Sequence, residues 1–166
     1  MFKYSPFNTL TPEQEQVSQD ILLNAIDCLE SGETGTSVLS GKAGTGKSIV
    51  LIHMMYTLMS AMSVTYNDED LTLDEQLELG ARISLSNKIR DYVKRHGDLK
   101  IAFVVPMTSI RKTFKAVFSA SKGTGLKPSM VIGPQEVWKK DYDIVFVDEA
   151  HRLARRKGIT SFMSFD

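Results

Sequence analysis

Residues 41–48 read Gly41-Lys42-Ala43-Gly44-Thr45-Gly46-Lys47-Ser48, and this stretch governs the reading of everything around it. It matches G-x-x-x-x-G-K-[ST] in full. The oxygens of a polyphosphate need several donors at short range. Glycines let the main chain wrap such an anion without Cβ clashes and reach positive φ. A helix that begins at the loop turns its positive end toward the anion. Lys47 adds a mobile charge for the β- and γ-phosphates, and the Ser48 hydroxyl is a hard oxygen ligand suited to Mg2+. The context is right for such a loop. Thr36 to Ser40 (TSVLS) has the composition of a short apolar strand, and Lys47 to about Met62 that of a buried helix. Lys42 lies in the loop at a variable position and receives no role.

A second run matches the first. Asp143-Ile144-Val145-Phe146-Val147-Asp148-Glu149-Ala150-His151 reads as a buried strand ending in two carboxylates. Ligand-binding groups gather at the carboxyl ends of parallel strands. Asp148 is placed to hold Mg2+, Glu149 to polarise an attacking water as general base, and His151 to couple the site to its surroundings. The plainer reading has the two acids capping a helix, where negative charge is favoured. The complete phosphate loop upstream argues against it.

Outward from these runs, the chain alternates helices and strands. Thr11-Pro12-Glu13-Gln14 starts a helix: Thr11 caps, Pro12 suits the first position and Gln14 closes a capping box. Val17, Ile21, Leu22, Ala25, Ile26 and Leu29 recur at helical spacing, and Gly32 ends the pattern. Residues 64–97 read as an acidic loop followed by a helix from about Leu73, an insertion on the scaffold. Lys100 to Val105 is a continuous apolar strand of the buried parallel type, and Pro106 stops it. Thr108 or Ser109 can cap the next helix, with Ile110, Phe114, Val117 and Phe118 on one face and Arg111 and Lys115 on the other. Gly123 and Gly125 fall in a loop, and Ser129 to Ile132 is a short strand. This order predicts an α/β fold, a parallel sheet with helices on both faces. The expected organisation is a single domain over 1–166: a helical segment 11–31, a phosphate-loop core 36–62, the insertion 64–97, and a core segment 100–153 running to the acidic motif.

Composition narrows the class. Apolar residues make up 42% and charged residues 24%, enough for a packed soluble core. Cys28 stands alone, which excludes an internal disulfide and a multi-cysteine zinc site and suits a reducing, cytoplasmic setting. No apolar run approaches the ~20 residues of a membrane span. The net charge is zero, yet residues 1–81 hold 3 basic and 12 acidic side chains and residues 82–166 hold 17 and 8, so the halves carry −9 and +9. Two readings stay open: a basic face for nucleic acid, or acidic and basic parts that compensate each other in the fold. His53 and His96 receive no functional assignment.

GKAGTGKS together with a strand ending in DEAH resembles the motor core of superfamily 1 and 2 helicases. VLSGKAGTGKS, IAFVVPMTSIRKTF, GLKPSMVIGP and DIVFVDEAHRL resemble more closely the Schlafen group 3-like DNA/RNA helicase domain. The resemblance implies the first part of a RecA-like motor domain with three layers. It implies nucleotide binding by Gly41, Ala43, Gly44, Thr45, Gly46, Lys47 and Ser48, a metal held by Ser48 and Asp148, and catalysis by Lys47 and Glu149. The expected cofactors are ATP and Mg2+. By the same resemblance Gln14 reads adenine, although the capping box accounts for Gln14 equally well. Thr108, Ser109 and Arg111 fall where such motors touch the backbone of DNA or RNA, and Arg111, Lys112, Lys115 and Lys122 add phosphate contacts. The alternative there is a solvated helix face.

The chain departs from the family at its end. After the acidic motif, RLARRKGITSFMSFD contains no apolar strand to stand between the acidic strand and the phosphate-loop strand, and no second motor domain with an arginine finger follows. The expectation is a truncated or split motor fragment, completed by a further chain or domain. Slow ATP hydrolysis at best, and no strand separation by the isolated chain, are expected. Three other readings remain: an ATP-gated binding module without turnover, a non-functional remnant, and a small-molecule kinase, against which the DEAH run and VVPMTS weigh.

Overall fold

The computed structural model describes residues 4–5, 9–42, 44–63 and 73–153. Helix α1 runs over Pro12–Ser31, α2 over Lys47–Ser63 and α3 over Leu73–His96. Strand β1 covers Ile101–Val104, α4 Thr108–Ala120, β2 Val131–Ile132 and β3 Ile144–Val147. Short 3-10 turns span Pro128–Met130, Pro134–Lys139 and Ala150–Arg152.

The start of α1 follows from its first four residues. Thr11 Oγ1 accepts from the Gln14 amide and Gln14 Oε1 accepts from the Thr11 amide, at 3.2 and 3.0 Å. Two amides that the helix itself leaves orphaned are thereby satisfied. At the other end the Gly32 amide donates to the carbonyls of Cys28 and Leu29. Leu22 and Ile26 are buried, while Val17 remains 39% exposed.

The sheet is parallel with β1 at its centre, in the order β2-β1-β3. Phe103 pairs with Val131 on one side and Phe146 on the other. Alternation along a strand splits the side chains between two faces. Ile101, Phe103, Val131 and Phe146 enter the main core with α1, α2, α3 and α4. Phe103 lies edge-on to Phe114 with centroids 5.0 Å apart and stacks on Phe118 at 6.1 Å. Ala102, Val104 and Ile132 form a smaller cluster on the opposite face under Val137, Tyr142 and Val147.

Helices α1, α2 and α3 pack against one another. Leu85, Ile89 and Tyr92 of α3 lie inside the same core as α2, so the second half of the 64–97 segment is part of the packing. Residues 64–72, expected as an acidic loop, lie outside the described residues. The charge asymmetry is partly resolved here. Glu15, Asp27 and Glu30 of α1 pair with Arg82, Lys88 and Arg95 of α3. Arg82 holds the Glu15 carboxyl below the usual carboxylate range.

Four local expectations are corrected. Residues 36–40 form no strand: Val38 is 84% exposed and no ladder partner flanks it among the described residues. An apolar composition cannot make a strand without a neighbour to bond to. β3 is not buried on both faces, since Val145 is 39% exposed while Phe146 is buried. The β2 segment begins two residues later than expected, because Pro128 opens a 3-10 turn before it. Neither Thr108 nor Ser109 caps α4. The N-cap is Met107, without a side-chain bond, because the Thr108 hydroxyl accepts from Arg111 instead.

Candidate functional site

The two motifs meet. The Ser48 hydroxyl, in the first turn of α2, donates to both carboxylate oxygens of Asp148, at 3.0 and 3.1 Å. These residues stand 100 apart in sequence. The Asp148 amide extends the β3–β1 ladder by bonding the Val104 carbonyl at 3.0 Å, so the carboxylate sits rigidly at the carboxyl edge of the sheet. Asp148 is only 6% exposed. That burial pushes its carboxyl above the ordinary range, against the lowering effect of the Ser48 bond.

The phosphate loop is closed on itself. Lys47 Nζ donates to the carbonyls of Gly41 at 2.7 Å and Lys42 at 2.9 Å, and Thr45 Oγ1 donates to the Lys42 carbonyl at 2.9 Å. Gly44 and Gly46 adopt φ of 82° and 81°, as a loop of this kind requires. The amides of Ile49 and Val50 both reach the Gly46 carbonyl, which ties the loop to α2. Ala43 lies outside the described residues.

Gln14 also reaches this loop. Its Nε2 donates to the Thr45 carbonyl at 3.0 Å, and a Cβ on Gly46 would stand 3.0 Å from that nitrogen. Both ends of the Gln14 amide are therefore engaged, one in the helix cap and one on the loop.

Glu149 occupies the left-handed region at φ 51° and makes no cap bond to the 3-10 turn that follows. It stands at the N-cap position of that turn, but its side chain is turned to His151 and Arg152 and not to the turn's amides. Its Oε2 stands 3.2 Å from His151 Nε2 and 3.6 Å from Arg152 Nε, and His151 is 72% exposed.

The proposed nucleic-acid residues sit at the same edge of the sheet, after β1. Ser109 and Lys115 are exposed. Arg111 is not a free cation. Its side chain is 18% exposed, its Nη2 donates to Thr108 Oγ1 at 2.8 Å, and its Nη1 lies 3.7 Å from Glu136 Oε2. Glu136 escaped the sequence reading. It accepts from the Gly133 amide at 2.6 Å, and that bond, helped by Lys115, Lys139 and Arg111, lowers its carboxyl below the usual range. The signal was present: Gly-Pro-x-Glu places an acid at the third position of a turn.

A family model for the Schlafen group 3 DNA/RNA helicase domain matches residues 35–164. The chain belongs to this family. No curated protein and no solved structure matches it. In this Schlafen group 3 domain, no described helix is long and apolar enough to cross a membrane. Among the described residues no cluster of three or more His, Cys, Asp or Glu could hold a metal unaided. One hydroxyl and one buried carboxylate form the donor set that fits Mg2+, a hard ion that keeps waters and takes phosphate oxygens as its remaining ligands.

Proposed function

We propose that this Schlafen group 3 domain is an ATP-binding, helicase-type P-loop module of the three-layer RecA-like kind. Its work is Mg-dependent ATP binding followed by slow hydrolysis. The observation that carries the reading is the Ser48–Asp148 contact, because it joins two motifs that were read independently. The Lys47 ammonium exchanges the Gly41 and Lys42 carbonyls for the incoming phosphates and pairs with their charge. Backbone donors of Gly41 to Gly46, Ala43 included, cradle them. Ser48 and Asp148 would hold Mg2+, which would supply positive charge against the phosphates. Glu149 orients and deprotonates the attacking water. Gln14 acts on the nucleotide through its hold on Thr45. Thr108, Ser109, Arg111 and Lys115 meet the backbone of DNA or RNA beside this site.

The test is thermal unfolding of the purified chain with and without Mg-ATP, beside Lys47→Ala. A ligand bound only by the folded state raises stability by about 2.7 kcal/mol at a hundredfold excess over Kd. The wild type should show the rise and Lys47→Ala should lose it. An equal rise in both, or none in either, overturns the reading. A second reading, binding without turnover, draws on the Glu149 carboxylate being taken up by His151 and Arg152. Glu149→Gln separates the two: it abolishes hydrolysis under the first and changes nothing under the second.

A further inference from the structure

Trp138 is the sole tryptophan of the chain, and it is 69% exposed. It stands on the 3-10 turn Pro134–Lys139, which leaves the carboxyl end of β2. Large aromatic rings are ordinarily drawn inward, so an indole held in solvent asks for a reason. The turn is not loose. Val137 packs on the Ala102, Val104 and Ile132 cluster, and Glu136 is bonded to the Gly133 amide at 2.6 Å. The two residues that lead into the ring are thus anchored, and the ring is displayed from a fixed support.

Its surroundings are basic. Residues 107–140 contain Arg111, Lys112, Lys115, Lys122, Lys127, Lys139 and Lys140, and Glu136 is their only acid. That acid is already engaged by Gly133 and Arg111. Lys115, Lys139 and Arg111 all act on the Glu136 carboxylate, which places α4 cations and turn cations around the base of the same turn. The α1–α3 pairs use other cations of the basic half; Asp141 and Asp143 follow this segment, yet among the described residues none of its lysines makes an ion pair. An exposed ring beside uncompensated lysines is the combination that holds single strands: bases stack on the ring while cations track the phosphates.

We propose that Trp138 is a stacking platform for an unpaired base of single-stranded nucleic acid, with Lys115, Lys139 and Lys140 taking the flanking phosphates. The proposal rests on the nucleic-acid part of the function proposed above and not on its nucleotide chemistry. A duplex keeps its bases stacked internally and offers the indole only its two terminal pairs. Single strands are therefore preferred.

The lone tryptophan is its own reporter. Intrinsic fluorescence of the full chain, without nucleotide, is titrated with a thymidine oligonucleotide of about 16 nucleotides, the upper range of a single-fold footprint. The expected result is saturable quenching that weakens with salt and that a blunt duplex of equal length does not reproduce. In anisotropy with a labelled oligonucleotide, Trp138→Ala lowers affinity about tenfold and Trp138→Phe retains most of it. Oligonucleotide binding with unchanged emission and an unaffected Trp138→Ala overturns the platform and leaves the Thr108–Lys115 reading standing. Equal quenching by the duplex overturns the single-strand preference. No binding at all overturns both, while the Mg-ATP shift remains to judge the nucleotide site separately.

Discussion

Gln14→Glu separates two roles that the wild-type side chain performs at once. In the structure Oε1 accepts from the Thr11 amide and Nε2 donates to the Thr45 carbonyl, both at 3.0 Å. Glutamate keeps the first bond, since S/T-x-x-E is itself a capping box. An acid in the first helical turn is also favoured, by about 0.3–1 kcal/mol. If capping were the whole role, the variant would match or exceed the wild type in stability. The second bond is lost, and a carboxylate is set against a carbonyl. An intramolecular hydrogen bond of this kind contributes about 0.5–1.5 kcal/mol. Spent on holding the phosphate loop in shape, that corresponds to a loss of roughly two- to tenfold in Mg-ATP affinity. The assay is the unfolding midpoint as a function of ATP concentration. Thr11→Ala, which removes about 1 kcal/mol of capping but leaves the loop bond, serves as control. Because both ends of the amide are occupied, ATP and GTP should weaken alike. A loss confined to ATP would return Gln14 to direct adenine reading. Unchanged affinity for both, with stability intact, would refute the loop role.

Two further outcomes test other parts of the structure. Asp148→Asn keeps an acceptor for Ser48 and removes a charge that burial disfavours. A carboxyl raised on folding binds more protons in the folded state between its unfolded and folded values, so stability falls as pH rises through that window. In metal-free buffer at pH 7 the variant should therefore be at least as stable as the wild type. The gap should close as pH drops below the ordinary carboxylate range, and Mg-dependent ATP binding should weaken. A less stable variant at pH 7 would contradict the burial argument. Phe114→Ala removes a ring with 0% exposure that meets both Phe103 and Tyr4. Urea unfolding should show a loss of about 3–5 kcal/mol, a large share of a small domain's stability.

What was legible in the sequence was local. The Thr11–Gln14 box and the Gly32 stop each depend on a few neighbouring residues and form as expected, and Gly44 and Gly46 take the positive φ that their sequence context implies. The strand at Ile101–Val104 was legible because every residue in it is apolar, which only a doubly covered strand tolerates. The misreadings were of partnership. TSVLS looks like a strand by composition, but strand formation is decided by what lies alongside. Arg111 looked solvent-facing by helical spacing. Its guanidinium is instead drawn over Gly133, where a Cβ would stand 2.0 Å from Nη1, toward an acid 25 positions away that no periodicity indicates. The same reasoning explains the charge halves. Three acids of α1 are paired with three cations of α3, so part of the asymmetry is compensated within the fold, while residues 107–140 retain a basic excess that the proposed nucleic-acid contact would use.

The backbone at Glu149 bears on how a lineage of such domains drifts. Among the described residues it is the only one other than glycine at positive φ. A side chain with a Cβ is disfavoured there by about 1–2 kcal/mol, and glycine or asparagine relieves much of that. Selection for stability alone therefore pulls this position away from the proposed general base. No such pull acts on Lys47 or Ser48, which lie in ordinary helix. A descendant freed from turning over nucleotide would lose the Glu149 carboxylate first and gain stability in doing so. Relatives that pair an intact phosphate loop with glycine or asparagine at this position would then be the ones that have become binders, and their ancestry would be recorded in one backbone angle.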